Sequence, residues 1–337
     1  MKRFWKFLRV GLVVLAVLLV AVISLTIGWR PFLGPRSRPL TDKKFERTPD
    51  RLARGRYLAN AVTSCMFCHS EHDWSSAGGP VVESKLGAGE VFPLSGLPGT
   101  LVAPNLTPDP ETGAGTWSDD QLARAIREGI GHDGRTLFPL MPYPNFRALP
   151  DEDVASIVVY LRSLPPVRNP LPTTAIVFPV KYLIRSAPEP LTSPVPANDP
   201  ADPVQRGEYL VRISGCADCH TLAKRGQPVE RLAFAGGFEM QGPFGAVTAA
   251  NITPDPSGIS YYDESLFLQA IKTGKVGARS LNPIMPWNML RNMTDVDLKA
   301  IFAYLRTVKP VHHRVDNSLV PTACKICQGK HGAGDQN

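Results

Sequence analysis

Apolar and polar positions change their pattern twice along the chain. Residues 10–29 run for twenty positions without a charge, matching the ~20 apolar residues that cross a bilayer as a helix. Lys2, Arg3, Lys6 and Arg9 precede the run and Arg30 follows it. A cleaved signal would have a shorter apolar core and small residues at its exit. The exit here carries Ile27 and Trp29, so residues 1–30 are read as an uncleaved transmembrane anchor. Beyond it the pattern becomes amphipathic. Leu122, Ala125, Ile126 and Ile130 share one helical face, as do Val154, Ile157, Val158, Leu161 and Leu164. Leu266, Phe267, Ala270 and Ile271 repeat the first of these stripes, and Leu298, Ile301, Phe302 and Leu305 the second. Ser118 or Asp119 and then Asp263 are the expected N-caps, with Gly129 and Gly274 as the stops. Long Gly- and Pro-rich stretches lie between, which predicts a mainly α chain with little sheet.

The stripes belong to a longer internal repeat. Arg54-Gly55-Arg56-Tyr57-Leu58 returns as Arg206-Gly207-Glu208-Tyr209-Leu210. In both, Gly is expected to allow two helices to approach and Tyr to fill their crossing. Asn105-Leu106-Thr107-Pro108-Asp109-Pro110 returns as Asn251-Ile252-Thr253-Pro254-Asp255-Pro256, and Tyr160-Leu161-Arg162 as Tyr304-Leu305-Arg306. The chain therefore divides into the anchor (1–30), a tether (31–48), a first domain (49–168), a Pro-rich linker (169–203), a second domain (204–312) and a tail (313–337). The linker is expected to wrap the first domain as ordered extended chain.

Each repeat carries Cys-x-x-Cys-His, as Cys65-Met66-Phe67-Cys68-His69 and Cys216-Ala217-Asp218-Cys219-His220. This is the attachment pattern of haem c. Two thiols one helical turn apart can each bond one vinyl-derived carbon of the same porphyrin, and the following His can place its imidazole under the iron. A disulfide, half a zinc site or a redox pair are the alternatives. A zinc site would not need His after each pair, and a redox pair would sit beside a βαβ pattern that is missing here. Two matched copies predict two covalent haems. Farther on, Met141-Pro142-Tyr143 matches Met285-Pro286-Trp287. Pro keeps the preceding Met in extended chain, where a stiff loop can present its thioether sideways. Met141 and Met285 are thus the expected second axial ligands, opposite His69 and His220. Asn105 and Asn251 suit both a turn and a haem propionate, two compatible roles.

The formal charge is +7, but residues 1–30 hold five of those positive charges and no acid, leaving +2 for the rest. A nucleic-acid footprint is excluded on that basis. The seven His read as haem ligands or isolated residues, with no further metal cluster expected. The tail contains Cys324-Lys325-Ile326-Cys327-Gln328, with Gln where a haem motif needs His. In an oxidising compartment such a pair is expected to form a disulfide, with a third haem or a metal as alternatives.

The order helix, Cys-x-x-Cys-His, loop, helix, Met-Pro loop, helix resembles the class I cytochrome c domain, over residues 49–168 and 204–312. The whole resembles membrane-anchored di-haem cytochromes c and is similar to the cytochrome subunits of bacterial alcohol and aldehyde dehydrogenases. The resemblance implies that Cys65, Cys68, Cys216 and Cys219 bind porphyrin, while His69, Met141, His220 and Met285 ligate iron. With both irons coordinatively full, the expectation is an electron carrier and not an enzyme. It would be a single-span protein of the bacterial inner membrane with its haem domains in the periplasm. Its partners would be a dehydrogenase or quinol oxidiser and an acceptor such as a terminal oxidase. A di-haem peroxidase and a fixed subunit of a dehydrogenase complex are the alternatives.

Overall fold

The computed structural model describes residues 2–197 and 200–337. The uncharged run folds as one helix, Lys2–Leu25. Its segment Arg3–Leu25 has a mean hydropathy of 2.8, and none of the described residues buries it. After the short helix Arg30–Leu33, the tether lies against the first domain. Arg38 forks between Asp120 and Glu128, at 2.6 and 2.8 Å. The Thr41 backbone N–H donates to the same Asp120.

The two halves are built alike. In the first, Pro49–Tyr57, capped by Thr48, continues through a wider turn at Leu58–Val62 into Cys65–Cys68. Helices Asp119–Glu128, Tyr143–Phe146 and Asp151–Ser163 follow. In the second the series is Pro203–Ile213, Cys216–His220, Glu264–Thr273, Trp287–Leu290 and Asp295–Leu305. Ser118, not Asp119, is the N-cap of Asp119–Glu128, in a capping box with Gln121, and Asp263 caps Glu264–Thr273. Gly129 and Gly274 end these helices at φ 70° and 67°, backbone that glycine adopts without a Cβ penalty. Among the described residues, sheet is confined to two-stranded pairs.

The opening and closing helices of each half cross at the repeated glycine. A Cβ on Gly55 would lie 1.9 Å from the Ser156 carbonyl oxygen, and one on Gly207 1.9 Å from that of Ala300. Only glycine allows this approach. The tyrosines of the same motifs do something the sequence did not suggest, because each hydroxyl reaches into the other half. Tyr57 donates to Asp297 and accepts from the Thr294 N–H at 3.2 Å, and Tyr209 lies 3.5 Å from Asp153. Within each half the same carboxylates hold Arg54 and Arg206. The apolar residues of both halves merge into one core, with Leu58, Met66, Ile157, Ile213 and Leu298 almost fully buried.

Between the halves, Ala175–Ile176 pairs with Gly99–Thr100 of the first domain. The Asp151 N–H donates to the Val195 carbonyl, and the Asn169 amide to that of Ala88. The segment up to residue 197 is thus fastened along the first domain; residues 198 and 199 lie outside the described chain.

Candidate functional site

Both Cys-x-x-Cys-His motifs form a single helical turn entered through a left-handed residue, Ser64 at φ 48° and Gly215 at φ 68°. That bend directs the turn inward. Ser64, a costly residue there, donates its hydroxyl to the Ala61 carbonyl at 3.1 Å. The six cysteines are free of one another. Burial pushes the Cys68 and Cys216 thiols up to about 12 and Cys219 to about 11, and raises Cys65 as well. Such thiols are neutral at pH 7. They make poor thiolate ligands, whereas a thioether bond to a porphyrin needs no buried negative charge.

Each His that follows is held through one ring nitrogen. His69 Nδ1 lies 2.8 Å from the Pro104 carbonyl and His220 Nδ1 2.7 Å from that of Ala250. A carbonyl only accepts, so Nδ1 carries the proton and Nε2 keeps its lone pair for a metal. Burial lowers both histidines, which keeps the imidazoles neutral. The carbonyls come from the residues just before Asn105 and Asn251, so the repeated Asn loops serve the site indirectly. The Asn side chains are spent on the loop. Asn105 Oδ1 accepts from the Thr107 N–H and hydroxyl while its amide donates to the Val167 carbonyl. Asn251 repeats this with Thr253 and Val311. The turn role is the one observed.

Met141 and Met285 are half-buried beside the core, in loops of the same shape. Their N–H groups bond to Phe138 and Asn282 carbonyls, both at 3.0 Å. Pro142 and Pro286 have φ/ψ of −80°/45° and −75°/44°. The next residues, Tyr143 and Trp287, fill the space beneath Gly129 and Gly274, whose Cβ positions fall 2.6 and 2.4 Å from the rings. The Tyr143 hydroxyl and the Trp287 indole N–H are buried without a hydrogen-bond partner among the described residues. A polar atom orphaned at the same place in both halves fits a missing polar group, as a haem with its propionates would supply. Together with the free Nε2 atoms and neutral thiols, the residues present fit haem in each half. Tyr143 and Trp287 stand in the matched Met-Pro loops, but their shared place beneath a glycine was not read from the sequence because they differ in type.

The two sites adjoin each other. Cys68 is raised first by burial, then by Glu90, Cys65 and Cys219, so the second motif's thiol weighs on the first motif's. Asn145, beside the first Met loop, donates to Asp218 inside the second motif at 2.8 Å. Asn288 returns the contact by donating to the Gly79 carbonyl at 3.1 Å.

In the tail, the expected disulfide is not formed. Cys324 and Cys327 instead face His313 and His331, with all four donor atoms within 4.8 Å of one another. This overturns the expectation that no metal cluster lies beyond the haem sites. The two His are 18 positions apart and have no counterparts in the first half, so the repeat did not reveal them.

A family model described as Cytochrome c matches residues 52–165 and 204–309. The cytochrome c subunit of alcohol dehydrogenase (quinone) from Komagataeibacter europaeus is 29% identical over 79% of this chain and 58% of its own length. The fructose dehydrogenase cytochrome subunit of Gluconobacter japonicus is 33% identical over 76% of this chain and 52% of its own. A diheme cytochrome c-type protein of Cereibacter sphaeroides is 30% identical over 73% and 82%. The chain thus spans little more than half the length of the dehydrogenase subunits it matches.

Proposed function

This chain belongs to the cytochrome c family, and we propose that it is a membrane-anchored di-haem electron-transfer partner of a dehydrogenase, passing electrons onward to a downstream acceptor. It carries two covalent haems c, one on Cys65 and Cys68 and one on Cys216 and Cys219. Haem bound at these sites supplies a one-electron iron couple. The chain's own residues set its terms. His69 and His220 offer Nε2 while the Pro104 and Ala250 carbonyls hold the tautomer. Met141 and Met285 would offer their thioethers to the same irons from loops stiffened by proline and by the ring packed beneath a glycine. The shared core packs against Cys65, Cys68, Cys216, Met141 and Met285. The adjoining motifs favour exchange between the two halves without movement of the chain.

The apolar helix Lys2–Leu25 supports an anchor, and haem c attachment supports a periplasmic position for the remainder. The relatives' names favour a dehydrogenase as electron source. The observation that carries the reading is the likeness of the two sites: the same His–carbonyl bond, the same Met-Pro turn and an orphaned polar atom on the residue after each Met-Pro, the Tyr143 hydroxyl in one and the Trp287 indole N–H in the other. With Met141 and Met285 both ligating, neither iron would be left free for peroxide.

The test is the near-infrared charge-transfer band of Met-ligated ferric haem, quantified per iron on the purified chain. Two Met-ligated haems are expected. Met285→His should remove one of them and lower one potential by roughly a tenth of a volt or more. A wild-type haem lacking the band would overturn the symmetric reading and point to peroxide turnover.

A further inference from the structure

We propose that His313, Cys324, Cys327 and His331 form a structural zinc site that clasps the C-terminal tail onto the loop supporting the second haem ligand. The four residues are 0%, 4%, 3% and 1% exposed. Two thiols and two imidazoles converge from two separated stretches of chain. His313 follows the second domain. The other three belong to a hairpin, Pro321–Ala323 paired with Lys330–Gly332, in which Thr322 faces His331.

The hydrogen bonds leave the histidines in an arrangement that needs a cation. His313 Nδ1 lies 2.8 Å from the Ala235 carbonyl and His331 Nδ1 3.0 Å from the Gly332 carbonyl. Carbonyls accept, so both Nδ1 atoms carry protons and both Nε2 atoms present lone pairs. Those two Nε2 atoms face each other at 3.1 Å. Two lone pairs at that distance repel unless a positive centre lies near both. A tetrahedral zinc with Zn–N bonds of ~2.0–2.1 Å holds its nitrogens about 3.3 Å apart. Carbonyl-bound Nδ1 is also the usual outer support of a zinc-bound imidazole.

The cysteines answer the same requirement. Gln328 takes a left-handed φ of 63°, which folds the chain so that the Gly329 N–H donates to Cys327 Sγ at 3.3 Å. The Cys324 N–H closes the turn on the Gly329 carbonyl at 2.9 Å. An N–H aimed at sulfur suits a thiolate. Two thiolates and one divalent zinc sum to zero charge, the condition for burying the whole group. Soft sulfur with imidazole selects zinc over magnesium or calcium, and four protein donors leave no open position for catalysis. Binding would release the two thiol protons to solvent.

The site's position gives it a purpose. His313 bonds Ala235, and the next residue, Gly236, donates its N–H to the His220 carbonyl at 2.7 Å. Gly237 bonds Ala249, next to the Ala250 carbonyl that orients the His220 imidazole. A Cβ on Gly237 would lie 2.8 Å from the His313 ring. The clasp therefore braces the second haem's proximal loop and leaves the first untouched.

The test is elemental analysis of the full chain purified in detergent with both haems, together with thiol alkylation under denaturing conditions before and after metal chelation. One zinc and two irons per chain are expected, with Cys324 and Cys327 becoming alkylatable and no disulfide present. His331→Ala should lose the zinc, and His331→Cys should retain it. In His331→Ala the spectrum of the second haem should shift and that of the first stay unchanged. A Cys324–Cys327 disulfide without zinc, a third iron, or no metal with free thiols would each overturn the proposal.

Discussion

A methyl group at position 274 has nowhere to go. Gly274 sits at φ 67°, and its Cβ would meet the Trp287 indole at 2.4 to 2.7 Å. The Trp287 backbone N–H bonds the Met285 carbonyl, so the ring and the methionine loop belong to one short tied stretch of chain, and displacing the ring is expected to displace the loop. Gly274→Ala is expected to cost about 1–3 kcal/mol, from the left-handed backbone and the overlap together. It should also halve the Met-ligated band at unchanged iron content, and an undiminished band would show that ring and loop are not coupled. Both glycines were legible as helix stops, since a stop is a local signal. Their second task, a floor for the aromatic ring, was not, because the ring arrives through an irregular loop more than ten residues later. The tail failed for a similar reason. Cys324 and Cys327 announced a pair, but only folding brings His313 and His331 to them.

Among the elements, the tether shows how a connecting stretch gains structure from its neighbour. Residues 31–48 read as a link between anchor and domain, and the amphipathic stripe of Asp119–Glu128 was visible by its period. Their docking was invisible, because it rests on one cation and two buried carboxylates with no sequence relation. The Arg38 side chain is 20% exposed, and those of Asp120 and Glu128 only 4% and 2%. Arg38→Ala would strand two buried carboxylates, a loss of about 3 kcal/mol by analogy with other broken buried pairs. It should free the tether for proteolytic cleavage between residues 34 and 47 while both haems stay bound; unchanged resistance would contradict this. Acid should act the same way. Burial alone would raise Asp120, but the bonds from Arg38 and Thr41 outweigh it and hold its carboxyl below the ordinary value. A depressed carboxylate stabilises above its unfolded pKa of about 3.9, and that contribution disappears as pH falls through the lower folded value. Cleavage of the tether in the wild type should therefore begin only below about pH 4, and in Arg38→Ala it should already be present at pH 7.

At the scale of the whole molecule, the repeat specified each half but not how the halves meet. Tyr57 and Tyr209 were legible as repeated aromatics beside a glycine crossing, and the glycines behave as that pattern requires. The hydroxyls answer to a different partner, a carboxylate at the start of the other half's closing helix, and a period of one domain carries no trace of an approximate twofold between two. Tyr57 both donates to Asp297 and accepts from Thr294, and Tyr209 lies 3.5 Å from Asp153. Burial and the Asp297 bond raise the Tyr57 phenol to about 12, so the donor keeps its proton throughout the physiological range. Tyr57→Phe removes a hydrogen bond to a buried charge, worth about 1.5–3 kcal/mol, although Arg206 still pairs with Asp297. The loss should be felt in the half that was not mutated. Amide hydrogen exchange at Thr294 and through the first turn of Asp295–Leu305 is expected to quicken, with Tyr209→Phe producing the reciprocal change at Asp151–Ser163. Exchange that quickens only within the first domain would mean the halves are joined by their apolar core alone. A coupled response would show that the interface which places the two haem motifs side by side is held by polar contacts at its rim as well as by that core.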